Sequence, residues 1–102
     1  MTRFDVYRFE ANGVPLVIDV QAGILDDFAS RVVIPLRPAR DAEKEALTRL
    51  KPVIEFNGED YVLMTTDIAA LPARRLGEKI GNLGERCGDE IAAALDFLFV
   101  GF

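Results

Sequence analysis

A chain of 102 residues, half of them hydrophobic and 28% charged, has the make-up of one globular domain, residues 1–102, that buries about 65% of its unfolded surface. Its 12 Lys and Arg against 17 Asp and Glu leave a net charge of −5, which argues against a broad electrostatic grip on nucleic acid while leaving a local basic patch open. With no histidine, the commonest general base, the Ser-His and Cys-His nucleophile pairs and most zinc sites are gone. A lone Cys87, no secretory h-region and no apolar run of transmembrane length give the expectation of a reduced, soluble, cytoplasmic protein.

Phe4-Asp5-Val6-Tyr7-Arg8-Phe9 alternates imperfectly between apolar and polar, the period of a half-buried strand. Ala11-Asn12-Gly13-Val14-Pro15 supplies turn chemistry, and a second strand, Leu16 to Val20, returns from it. Gln21-Ala22-Gly23 interrupts the pattern, Ile24-Leu25 is an apolar pair in a connecting stretch, and Arg31 to Leu36 reads as a buried strand closed by proline. From Asp41 to Leu50 a short helix is expected, capped by Asp41, acidic at Glu43 and Glu45, basic at Arg49 and Lys51, and stopped by Pro52.

Pro52 to Thr66 reads as a hairpin around Asn57-Gly58. A two-residue turn sets Glu55 opposite Asp60, two like charges, so a longer loop pairing Phe56 with Tyr61 is expected. Ile68 to Leu71 continues as a shorter extended piece before Pro72. Arg74, Arg75 and Lys79 form the one concentrated basic patch, read as a solvated, loosely helical link, and Asp26-Asp27, Glu43/Glu45 and Glu59-Asp60 read as solvated surface. Cys87 reads as a small buried or half-buried filler.

A final helix is expected from Gly88 or Asp89. At 100° per residue, Ile91, Ala94, Leu95, Leu98 and Phe99 share one arc and form the core stripe, while Ala93, Asp96, Phe97 and Val100 fall opposite. Burying Phe97 is worth about 1.5 to 3 kcal/mol, so this second face calls for a cover. A neighbouring element of the same subunit and a second copy about a two-fold axis both qualify. Val100-Gly101-Phe102 then places an aromatic ring beside the terminal carboxylate, which reads either as a docking tip for a partner or as a ring folded back onto its own core.

The order FDVYRF from Phe4, VIDVQAGILD from Val17, RVVIPL from Arg31, YVLMTTDIAALP from Tyr61 and an apolar helix ending in Gly plus one apolar residue resembles the CcdB family, the toxin halves of toxin–antitoxin modules. The most specific blocks are Asp19-Val20-Gln21, Val33 to Leu36 and Met64 to Asp67. The resemblance implies a mainly β fold of the α+β kind: an SH3-like antiparallel barrel with a small accessory sheet, a C-terminal helix and a homodimer. It also implies a toxin that binds the DNA gyrase A subunit and traps the cleaved complex without making or breaking bonds itself, and that therefore needs no cofactor or metal. A CcdA-like antitoxin neutralises such toxins and represses the shared operon with them, touching operator DNA on the pair's behalf.

Carried over by position, the gyrase-facing tip is Val100, Gly101 and Phe102, with Phe4, Tyr7, Ile24, Leu25 and Asp96 as surrounding surface. The antitoxin-facing residues are Arg8 and Asn12 in the first turn region, and Arg49 and Lys51 meeting acidic antitoxin side chains. The family pattern ends Trp-Gly-Ile, whereas here Val100 and Phe102 flank the glycine, so the stacking an indole gives on a cation, about 0.5 to 2 kcal/mol, is lost at position 100. Asp96 stands where an uncharged polar group is expected. Two alternatives follow from the same barrel: a MazF-like endoribonuclease using Arg31 with Thr65 or Thr66, and an inactive homologue retaining only antitoxin binding.

Overall fold

The computed structural model describes residues 2–23 and 29–102. Strands β1 (Asp5–Ala11), β2 (Val14–Asp19) and β3 (Ser30–Pro38) are followed by a single helical turn, α1 (Ala39–Ala42), and then by β4 (Val53–Phe56) and β5 (Glu59–Leu63). β6 (Ala69–Pro72), β7 (Lys79–Asn82) and a long helix, α2 (Gly84–Val100), complete the chain. The strands form one curled antiparallel sheet in the order β4-β5-β3-β2-β1-β7, a half-barrel, with β6 pairing β3 off that path. This is the expected mainly β architecture with a helix after it.

The imperfect alternation of the first strand has a physical cause: both faces of this sheet are buried. Val6, Leu16, Ile18, Ile34, Leu36 and Leu63 join Cys87, Ile91 and Ala94 of α2 in the main core. Their strand neighbours Tyr7, Val17 and Val33 form a smaller cluster with Phe9, Leu71 and Leu76. A strand covered on both sides reads as a continuous apolar run, as Val32-Val33-Ile34 does within β3.

Proline at position 35 closes nothing, because β3 runs on to Pro38. Its carbonyl accepts from Met64 N at 2.9 Å, while the first part of β3, Ser30 to Val33, pairs β6 and the last, Leu36 to Pro38, pairs β5. Pro35 thus sits where β3 changes partner, a position that has little use for a donor.

The helix expected over Asp41–Leu50 does not form. A turn of α1 passes into a 3₁₀ turn at Glu43–Glu45, Ala46 is extended, and Leu47 and Lys51 then exchange backbone hydrogen bonds of 3.0 and 2.8 Å. Ten residues are marginal as an isolated helix, and only Ala42 of this stretch is fully buried, so packing supplies too little to hold one.

The second hairpin also differs from expectation. Asn57 and Gly58, at φ 53° and 82°, make a two-residue turn that pairs Phe56 with Glu59 and Glu55 with Asp60. The repulsion is relieved because the Glu55 carboxylate accepts from Gly58 N at 2.6 Å and from Arg86 Nη1 at 2.9 Å. Arg86, on α2, also donates through Nη2 to the Glu55 carbonyl on the outer edge of β4.

α2 begins at Gly84, earlier than the apolar arc suggests. Asn82 Oδ1 accepts from Gly84 N at 2.7 Å and its Nδ2 donates to Asp5 Oδ1 at 2.9 Å, tying the start of the helix to β1. At Gly88 a Cβ would stand 3.2 Å from the Phe4 ring, a close approach that leaves the ring room against the helix. Cys87 is buried, as its reading as a filler requires.

Candidate functional site

The last turn of α2 is where the helix outruns its cover. Ile91 and Ala94 are fully buried, but every α2 residue beyond Ala94 is half-buried or exposed. Phe99, expected in the core stripe, is therefore 70% exposed: the periodicity continues and the sheet beneath it does not. Val100 and Phe102 are 58% and 78% exposed, and Asp96 is exposed beside them. Phe102 does not fold back onto the core.

Gly101 sets the direction of this end. Its φ of 89° lies in the left-handed region, and its N–H donates to the Phe97 carbonyl at 3.0 Å, the αL stop that favours glycine. Phe97 is half-buried, and within its own subunit the Arg49 guanidinium lies 4.4 Å from its ring centroid.

Tyr7 and Phe4 do not join this surface. Tyr7 is 5% exposed, its hydroxyl donating to Asp5 Oδ2 at 3.3 Å. Phe4 is half-buried against Gly84 and Gly88 at the other end of α2, roughly 18 Å along the helix from Val100 at 1.5 Å per residue. Its φ of 73° is rare for an aromatic residue and is held by Phe4 N donating to Asp19 O at 2.6 Å and by Leu83 N donating to Phe4 O at 2.9 Å. A strand-like alternation from Phe4 carries no hint of this. Ile24 and Leu25 lie outside the described residues.

Of the residues expected to face an antitoxin, Arg8 is exposed and paired with Glu78 at 3.3 Å, and Asn12 is exposed in the first hairpin turn at φ 54°. That turn and α1 flank a groove of about 350 Å³ lined by Glu10, Asn12, Pro15, Pro38, Arg40 and Asp41. Lys51 is half-buried with Nζ 2.9 Å from Glu45, while Arg49 is exposed. These residues belong to two separate segments, the hairpin turn and the stretch before β4.

A buried polar network was not legible as such in the sequence. Asp19 and Arg31 are both 0% exposed, with Arg31 Nη2 2.7 Å and Nε 2.8 Å from Asp19 Oδ2. Asp19 Oδ1 accepts from Gln21 N at 2.9 Å, and Gln21 Oε1 accepts from Val32 N at 3.0 Å. Asp5, 1% exposed, accepts from Thr2 N at 2.8 Å and Asn82 Nδ2 at 2.9 Å and pairs with Lys79 Nζ at 3.4 Å.

Burial pushes the Asp19 carboxyl up, against the opposing pull of Gln21 N–H and Arg31. Burial also pushes Asp5 up, but Asn82, Thr2 and Lys79 more than offset it and leave Asp5 below the usual carboxylate value. Burial, with the neighbouring Asp5 charge, raises Tyr7 to about 12. An apolar–polar–apolar strand pattern gives no sign of charges on the covered face. The one available signal was that Asp19 and Arg31 each border an otherwise apolar run.

This burial also removes the ribonuclease roles considered for Arg31 and Thr65. Arg31 is sealed against Asp19, and Thr65 is 0% exposed with its hydroxyl donating to Leu63 O at 3.4 Å; Thr66 alone is exposed. Among the described residues no three His, Cys, Asp or Glu side chains are placed to hold a metal ion, and no helix is long and apolar enough to cross a membrane.

A curled half-barrel bearing a helix whose end is apolar and exposed defines a small β-rich protein of toxin-like fold with an open apolar end. A family model described as CcdB protein matches residues 3–101, and the chain belongs to the CcdB family. This family comprises toxins of toxin–antitoxin systems of the gyrase-poison type, which poison rather than catalyse, and whose partners in general are the gyrase A subunit and a CcdA antitoxin.

Proposed function

We propose that this chain poisons DNA gyrase by seating the end of α2 on the gyrase A subunit and trapping the enzyme with its DNA cleaved. The observation that carries the reading is the exposed apolar group Phe99, Val100 and Phe102 around Gly101. Two rings and a branched aliphatic side chain left in water cost free energy that a partner's pocket recovers, and aromatic anchors dominate such interfaces. Phe99 joins Val100, Gly101, Phe102 and Asp96 in this proposed surface. With Val100 where the family pattern has Trp, the aromatic contribution moves to positions 99 and 102. The action is steric: a folded body wedged against a moving gate.

In this reading the protein works in the cytoplasm as a homodimer. A CcdA-like antitoxin contacts Arg8, Asn12, Arg49 and Lys51, displaces gyrase, and represses the shared operon together with the toxin. The test is purified cognate gyrase with supercoiled DNA. Stabilised cleaved DNA in proportion to toxin is expected, and its absence at concentrations where the protein is folded overturns the proposal.

A second reading, a homologue that keeps antitoxin binding without poisoning, is favoured by Val100 in place of Trp and by the charge on Asp96. It predicts growth unaffected by expression, with antitoxin binding retained.

A further inference from the structure

The stretch between α1 and β4 is tied down at its base and reaches across to the far end of α2. Leu47 and Lys51 exchange both backbone hydrogen bonds, at 3.0 and 2.8 Å, which closes residues 47–51 into a tight turn. Glu45 holds Lys51 Nζ at 2.9 Å. Arg49 stands in the middle of that turn, its backbone path fixed on both sides, and its guanidinium lies 4.4 Å from the centroid of Phe97. Phe97 is the residue whose carbonyl receives the Gly101 N–H at 3.0 Å, the bond that turns the chain out of the helix.

Helix ends fray unless something outside the helix holds them. At this end no basic side chain lies in the last turn to answer the carbonyl end of the helix dipole. Among the described residues Arg49 is the cation stacked on this turn, supplied from a different element. It adds a positive charge near the helix C-terminus, and its planar group covers a ring that the core leaves half-buried.

We propose that Arg49 is a positioning residue for the exposed end of α2. Stacked on Phe97, it holds the last helical turn in the geometry that presents Phe99, Val100 and Phe102. The inference rests on the reading of that end as the gyrase-facing surface, and it assigns Arg49 a role there without contact to gyrase. Because linkage is reciprocal, a partner that draws Arg49 away from Phe97 lowers the affinity of the end for gyrase, and gyrase bound at the end disfavours that partner.

The test is a double-mutant cycle read by binding to a gyrase A fragment, with amide exchange as a second readout. Arg49→Gln is expected to weaken binding about two- to fivefold, the size of an exposed cation–ring contact. Arg49→Lys, which keeps the charge and loses the planar group, is expected to restore only part of the loss. In a Phe97→Leu background Arg49→Gln is expected to cost nothing further. The Gly101 amide is expected to exchange about two- to fivefold faster in Arg49→Gln than in the unaltered protein. Equal cost of Arg49→Gln in both backgrounds places Arg49 on the partner itself and overturns the proposal, as does unchanged Gly101 exchange. If the unaltered protein binds no gyrase while the Gly101 amide still responds to Arg49→Gln, the gyrase reading fails and the positioning contact stands.

Discussion

The two faces of this molecule invert the ordinary distribution of side chains in opposite senses. Behind the sheet, Asp5, Asp19 and Arg31 are buried charges, each supplied with partners. At the end of α2, Phe99, Val100 and Phe102 are apolar and left in water. Both departures cost free energy, yet only one is compensated within the subunit. The charges are matched by hydrogen bonds at 2.7 to 3.0 Å, so the account of that network closes internally. Among the described residues the rings have no such counterpart, and they form an apolar patch of the kind that interaction surfaces show.

The sharpest way to break the comparison is to unbalance the buried network. Arg31→Met leaves Asp19 sealed in without its cation and is expected to destabilise the fold by about 3 to 5 kcal/mol, measured by urea unfolding. Asp19→Leu combined with Arg31→Met is expected to recover much of that loss, because no lone charge remains. A single substitution as mild as its surface equivalents shows that the network is not what holds this region.

Alkaline titration probes the same network. Tyr7 is raised to about 12 from the ordinary 10, so its contribution is fully present below pH 10 and is lost as the pH climbs through 12. A loss of about 2 to 3 kcal/mol from Tyr7 is expected over that window, and Tyr7→Phe is expected to remove that share while leaving the part due to Tyr61, which burial also raises. The acid limb holds two opposed effects. Asp5, lowered, supports the fold above its unfolded value of 3.8 and withdraws that support as pH falls through its folded value. Asp19, raised, favours the fold progressively as it takes up its proton.

At the other face the expectation reverses. Phe99→Ser with Phe102→Ser is expected to change stability by less than about 0.5 kcal/mol, while weakening gyrase binding by about 2 kcal/mol or more, the scale of a hot spot. Equal losses in both measurements show that these rings support the fold instead. At Gly101→Ala a left-handed φ of 89° is asked of a residue with a Cβ; about 1 to 2 kcal/mol is expected, confined to the last helical turn and visible in its amide exchange.

Legibility followed how local the physics was. The first turn, β2, β3, β6 and the apolar helix were readable because turn chemistry and periodicity are properties of neighbours in sequence. The second hairpin is hidden because Glu55 opposite Asp60 looks repulsive until Arg86, far along the chain, is brought beside it. Asp41 to Leu50 carries good local helix signals, but the segment has little to pack against and forms its hydrogen bonds between Leu47 and Lys51 instead. The exposure of Phe99 is hidden for a related reason: an apolar arc shows which side of a helix faces inward, and not where the protein beneath it ends. Val100-Gly101-Phe102 by itself fits both an exposed tip and a ring folded back on the core, and only the family resemblance favours the first; in the structure Phe102 is exposed. Of the surrounding surface, Tyr7 is buried and Phe4 is half-buried against the other end of α2, which a strand-like pattern does not show.

One further property follows from Arg86. β4 is a rim strand, and such rims recruit foreign strands by offering unclaimed carbonyls and amides. Arg86 reaches down from α2 and occupies the Glu55 carbonyl, so a newcomer must first evict a guanidinium held by two oxygens of the same residue. At this margin the addition of a foreign strand, and with it the growth of the sheet into a fibre, is discouraged.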